Sequence, residues 1–184
     1  MFEDKIKFYP NFPKDGVSFL DLLPLMHDRE TFTAVMNELA KLVTAPNLTA
    51  PEARGFIFGP SLLTVPSTVV NVIPFRKPGK IPSVPEDLVS FRIIKEYGED
   101  ALDCRLSDIL ASKTNENGEL EFCIFDDVLA MGGTATAIAK TLQNLDLGGK
   151  KVKIKEFVFV AELTALGGRK KLEQIAPVKA LLKI

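Results

Sequence analysis

The sequence predicts an α/β fold in which a parallel sheet is covered by helices on both faces. Three observations lead there. Residues 69–75, 120–125 and 157–161 are apolar runs with little polar interruption, as expected of strands buried on both sides. Segments 30–43 and 134–145, one before the first run and one between the last two, carry apolar residues at helical spacing. Charged and glycine-rich residues gather directly after two of the strands, where open parallel sheets bind ligands.

In chain order, the first helix is predicted over residues 30–43, where Phe32, Val35, Met36, Leu39, Leu42 and Val43 share one face. Asp28 is its expected N-cap, and Pro46 closes it. Residues 69–75 (Val-Val-Asn-Val-Ile-Pro-Phe) are rich in β-branched side chains and read as a strand. They run into the basic turn Arg76-Lys77-Pro78-Gly79-Lys80. Residues 77–100 are then dense in proline, glycine and charge, with one short strand expected at 89–93. So long an excursion suggests a lid or binding loop. A strand at 120–125, a helix at 134–145 and a strand at 157–161 complete the pattern.

Composition narrows the function classes. The chain has 184 residues, enough for one domain with a full core, and is 46% apolar and 26% charged. A formal net charge of −1 gives no bulk attraction to nucleic acid or to an anionic membrane. No apolar run approaches the roughly 20 residues of a membrane span, and residues 1–5 lack the pattern of a secretory signal. Cys104 and Cys123 fit a reducing compartment, so a cytoplasmic location is expected. With two cysteines and one histidine, His27, a zinc site is not expected. Asn47-Leu48-Thr49 matches a glycosylation sequon, read here as chance.

The most informative stretch joins the apolar run Phe122-Cys123-Ile124-Phe125 to Asp126-Asp127 and then to Gly132-Gly133-Thr134 at the start of a helix. A glycine-rich bend entering a helix offers backbone N–H groups and the positive end of the helix dipole to an anion. Two carboxylates just before it can accept hydrogen bonds from vicinal sugar hydroxyls. The stretch therefore reads as a ribose 5-phosphate site, with sugar on Asp126 and Asp127 and phosphate on residues 130–134. The alternative is a tight strand-to-helix turn whose aspartates cap the helix and face water. Neither G-x-x-x-x-G-K-[ST] nor G-x-G-x-x-G is present here.

This stretch resembles the phosphoribosyl-diphosphate motif of the type I phosphoribosyltransferases. Five further segments resemble the adenine branch of that family, in its order and roughly its spacing. They are residues 11–21 (Asn-Phe-Pro-Lys-Asp-Gly-Val-Ser-Phe-Leu-Asp), 52–60 (Glu-Ala-Arg-Gly-Phe-Ile-Phe-Gly-Pro), 75–82, Glu96-Tyr97-Gly98 with Asp100, and 162–172. The resemblance implies a parallel-sheet fold with a small hood: one domain over residues 1–184, a base-binding N-terminal segment at 1–30 and a flexible active-site loop at about 77–100. It implies transfer of ribose 5-phosphate from phosphoribosyl diphosphate to adenine.

Residue roles follow from the same resemblance. Glu96, Arg54 and Asp127 are the catalytic candidates, with Glu96 exchanging a proton near purine N7. Phe19 would pack on the base while backbone groups of Ser18 and Leu20 read its edge. Arg54, Arg76, Lys77 and Lys80 would hold the diphosphate, and Tyr97 would travel with the closing loop. Asp126 would bind the ribose, and Ala130, Met131, Gly132, Gly133 and Thr134 would cradle the phosphate. Mg²⁺ is expected, held mainly by substrate oxygens with no direct protein ligand required. A homodimer is expected; nucleic-acid and membrane partners are not.

Several positions depart from the family pattern. Leu20 stands where a basic residue is common, Ser18 where an aliphatic is usual, and Met131 where a threonine usually lies. Pro46 and Pro51 predict that the strand before Arg54 is shortened or displaced, and Pro66 that the following helix is cut. Transfer to another purine and a non-catalytic nucleotide sensor are the competing readings.

Overall fold

The structure is a computed structural model and describes residues 2–95 and 98–184. Near the N-terminus, β1 (Lys7–Pro10) and β2 (Ser18–Asp21) form an antiparallel pair. Helix α1 (Arg29–Leu42) starts at Asp28, whose carboxylate accepts from the Thr31 N–H at 2.7 Å. Strand β3 (Asn47–Pro51) leads into α2 (Gly55–Ser61), and β4 (Asn71–Phe75) follows. Strands β5 (Leu88–Lys95) and β6 (Gly98–Arg105) pair antiparallel, and α3 (Leu106–Leu110) comes next. The chain ends with β7 (Leu120–Leu129), α4 (Gly133–Asn144), β8 (Val152–Glu162), α5 (Gly168–Leu172) and β9 (Val178–Lys183).

Five of these strands form a parallel sheet in the order β4-β3-β7-β8-β9. Side chains alternate across it. Phe122, Ile124, Phe157 and Phe159 enter one core with α4, α5 and the β5–β6 pair. Cys123, Phe125, Val158 and Val160 enter the other with α1, α2 and the N-terminal segment. Burial on both faces is why these strands read as unbroken apolar runs. Each such side chain contributes roughly 1.5–3 kcal/mol of burial. The two cysteines are free and buried, and burial pushes the Cys104 thiol up to about 12. No helix among the described residues is long and apolar enough to cross a membrane.

Three sequence expectations meet the structure differently. The strand before Arg54 is short, five residues, but it is not displaced: β3 lies between β4 and β7, fully buried. Pro46 precedes it, and Pro51 lies beyond the last β3–β7 partners, Thr49 and Ile124, so neither proline interrupts that ladder. The next donor, Glu52 N–H, bonds the Phe75 carbonyl at 2.8 Å.

Strand β7 continues past its predicted end at Phe125, carried through Asp126 and Asp127 by pairing with β8 as far as Leu129 and Glu162. Within the 77–100 excursion, residues 77–87 form no strand, but the short strand expected at 89–93 is the longer β5, paired with β6: Val89, Phe91 and Ile93 turn one face of β5 onto the core. The sequon residue Asn47 is wholly buried and donates to the carbonyls of Lys113 and Glu121, both at 2.8 Å, which is a structural role. Pro66 does close the short helical run: α2 ends at Ser61 and a single 3₁₀ turn at Leu62–Thr64 follows.

Glu156 on β8 fixes the exit of α1 to the sheet. It is 2% exposed and accepts from the Ala45 N–H at 3.0 Å, from the Thr44 N–H and hydroxyl, and from Lys179 of β9. A Glu156→Ala substitution leaves these donors unpaired inside the fold. We expect it to lower the unfolding free energy by about 3 kcal/mol in urea denaturation.

Candidate active site

The carboxylate pair occupies the last third of β7. Asp127 is 7% exposed, and the Arg54 guanidinium forms an ion pair with it. Arg54 sits where β3 hands over to α2, so the sheet itself delivers the guanidinium to Asp127. Gly55 lets that turn come close, since a Cβ there would meet the Pro51 ring at 3.0 Å and an Asp126 oxygen at 3.4 Å. Arg54 also donates to the Leu20 carbonyl at 3.0 Å, and its guanidinium lies 5.0 Å from the centre of the Phe19 ring. Asp126 accepts the Asp127 N–H at 2.8 Å. Burial, and then the neighbouring Asp127 charge, push the Asp126 carboxyl well above the usual carboxylate range.

Two cavities meet at Asp126 and Thr134. The larger, about 510 Å³, is walled by the turn from β7 to α4, including Ala130, Met131, Gly132, Gly133 and Thr134, and by Phe159, Leu166, Gly167 and Lys171. The turn is a cradle for local reasons. Gly132 takes a φ of +73° and has no side chain to cap α4, so the first N–H groups of that helix remain available to an anion. The Met131 side chain is 50% exposed at the rim. The smaller cavity, about 220 Å³, is walled by Glu52, Arg54, Lys77, Asp100, Asp126 and Asp127, among others.

The remaining sequence candidates distribute unevenly. Arg76 pairs with Glu52 at 3.1 Å and donates to the Lys80 carbonyl at 3.0 Å; neither Arg76 nor Lys80 lines the two cavities. Glu52 also accepts the Lys77 N–H at 3.2 Å, and these bonds hold its carboxyl below the usual range. Phe19 and Leu20 lie beside Arg54, and none of Ser18, Phe19 and Leu20 lines the two cavities. The Leu20 side chain is buried, and its carbonyl already accepts one bond from Arg54. Glu96 and Tyr97 lie outside the described residues. Residue-by-residue sequence reasoning gave no role to Glu52, Leu166, Gly167 or Lys171; the available signal was their place inside segments 52–60 and 162–172.

The raised Asp126 carboxyl has a measurable sign. Above about pH 4, the ordinary aspartate value, the unfolded chain releases this proton while the folded chain keeps it. That stabilising contribution is full below about pH 4 and is lost as pH rises through the folded value. Asp126→Asn cannot lose it, so the stability of the variant relative to the native chain should grow from about pH 4 upward, as read by denaturation at a series of pH values.

No family model matches the chain. The adenine phosphoribosyltransferase of Thermoanaerobacter pseudethanolicus is 37% identical over 171 residues, covering 91% of this chain and 89% of its own. That of Prochlorococcus marinus is 38% identical over 180 residues, 96% of this chain and 95% of its own. A crystal structure of adenine phosphoribosyltransferase from T. pseudethanolicus superposes with a TM-score of 0.82 at 34% identity, covering 100% of this chain and 98% of that one. The Saccharomyces cerevisiae enzyme, solved with an imino-altritol bisphosphate and adenine, gives 0.77 at 30% identity over 96% of this chain and 94% of that one. The likeness runs the length of the chain and takes in the carboxylate pair, the cradle and the Arg54 turn: the chain belongs to the adenine phosphoribosyltransferase family.

Proposed function

We propose that the chain transfers ribose 5-phosphate from phosphoribosyl diphosphate to adenine, giving AMP and diphosphate. The observation that carries this reading is the shared wall of the two cavities, in which Asp126 and Thr134 separate a helix-N-terminal cradle from a pocket bearing Arg54 and Lys77. A sugar seated against Asp126 and Asp127 would direct its 5-phosphate into the first cavity and its diphosphate into the second.

In this mechanism the cradle N–H groups hold the 5-phosphate, and the aspartates accept from the ribose hydroxyls. The transition state resembles an oxocarbenium ion, so the departing diphosphate needs cations more than the sugar needs a nucleophile. Arg54 and Lys77 face that position, with Arg76 and Lys80 on the same basic turn. Phe19 packs on the adenine, and Glu96 manages the proton near N7. Among the described residues no cluster of three or more carboxylate, histidine or cysteine side chains could hold a metal ion, so a hard cation would be held mainly by the oxygens of the substrate. Mg²⁺, when bound, would neutralise charge on the leaving diphosphate. The proposal includes a homodimer, supported by the exposed Ile57 and Leu63 around α2, and a reducing, cytoplasmic setting, supported by the two free thiols.

Incubation with adenine, phosphoribosyl diphosphate and Mg²⁺ should yield AMP; none at saturating substrate contradicts the proposal. Met131→Thr restores a hydroxyl donor at the cradle rim and should tighten phosphoribosyl diphosphate binding roughly tenfold by calorimetry. Unchanged affinity would mean that the backbone N–H groups already suffice.

A further inference from the structure

The segment closing the far side of the cradle, residues 162–172, has no role in the mechanism above. Glu162 ends β8 opposite Leu129 of β7 and is 3% exposed. Arg169, in the first turn of α5, grips it with both arms of its fork, Nε to Oε1 at 2.8 Å and a terminal nitrogen to Oε2 at 2.5 Å. The other terminal nitrogen donates to the Val178 carbonyl of β9 at 2.7 Å and to Glu173 at 3.1 Å. One guanidinium therefore locks a five-residue helix, too short to hold its own orientation, to the ends of two sheet strands.

What this helix touches is the cradle. A Cβ on Gly168 would lie 2.2 Å from the Ala130 carbonyl oxygen and 2.9 Å from the Met131 carbonyl carbon. A Cβ on Gly132 would meet the Gly168 carbonyl oxygen at 3.3 Å and Leu172 at 3.2 Å. The start of α5 and the 130–132 backbone are thus in direct apposition, with the side chains of Leu129 and Leu172 packed at the edges of the contact. Leu166, Gly167 and Lys171, which flank this contact, form the opposite wall of the same cavity.

We propose that Glu162 and Arg169 are positioning residues for phosphate recognition: their bidentate pair sets α5 against the cradle and fixes the width of the cavity that receives a 5-phosphate. This rests on the reading of the cradle as a phosphate site. The pair never touches substrate; it acts through Gly168 on the carbonyls of the cradle and through the helix that carries Lys171. Lysine at 169 would keep the charge but lose the fork.

The test compares binding of AMP with binding of adenosine, which lacks the phosphate, by calorimetry, alongside steady-state kinetics on the full chain. Native protein that binds AMP no better than adenosine would overturn the phosphate reading and this inference with it. If native protein prefers AMP, Arg169→Gln should weaken AMP about tenfold and raise KM for phosphoribosyl diphosphate similarly, with adenosine affinity and kcat within about twofold. Arg169→Lys should recover part of the loss. Glu162→Gln with Arg169→Gln should cost no more than Arg169→Gln alone. Gly168→Ala, which leaves the ion pair intact but wedges α5 off the cradle, should give the same AMP-selective loss, and it stands in if Arg169→Gln does not fold. Equal weakening of AMP and adenosine, or no weakening of AMP in either Arg169→Gln or Gly168→Ala, would overturn the assignment.

Discussion

The ion pair between Arg54 and Asp127 is the interaction on which the site depends. Two adjacent carboxylates in a strand that follows the apolar run Phe-Cys-Ile-Phe and continues into Val-Leu would be a heavy electrostatic cost if both were ionised and unpaired. Arg54 compensates Asp127, while burial and then the neighbouring Asp127 charge push the Asp126 carboxyl well above the usual range. The same guanidinium bonds the Leu20 carbonyl and lies over the Phe19 ring, so it also seats the N-terminal segment on the sheet. Strand β7, the β3–α2 turn and the candidate base-binding segment converge on one side chain. In the proposed reaction an arriving diphosphate would compete with Asp127 for that guanidinium.

From that centre the site is ordered by charge along a single trough. On one side lie backbone N–H groups at the start of α4, which bind anions through geometry and dipole rather than through a side chain. On the other lie Arg54 and Lys77. Carboxylates stand between them. A substrate with phosphate at both ends and hydroxyls in the middle matches this sequence of groups, whereas a nucleic-acid groove would present cations throughout.

The features that could be read from sequence were those set by local chemistry. The apolar run into β7, the Gly-Gly-Thr bend and the capped helix at Asp28 each announce themselves within about ten residues, because period, φ and capping are short-range constraints. The rest depends on partners distant in sequence. Aspartate is a poor strand former, so β7 was expected to stop at Phe125; pairing with β8 overrides that preference as far as Leu129. Prolines argued against β3, yet their positions relative to the β7 ladder make them harmless. Of the 88–105 hairpin only a short strand at 89–93 was legible, because its partner β6 (Gly-Glu-Asp-Ala-Leu-Asp-Cys-Arg) carries charges at half its positions. Nothing near Arg54 in the chain indicates that its partners are Asp127 and Leu20, or that the Glu162–Arg169 pair lies behind the cradle.

A structure of the chain with AMP tests the central claim most directly. The account predicts the 5-phosphate within hydrogen-bond distance of the backbone N–H groups of residues 131–134, the ribose hydroxyls on Asp126 and Asp127, and the adenine against Phe19. A phosphate bound instead on the Arg76–Lys80 turn, with the 131–134 cradle empty, would contradict it.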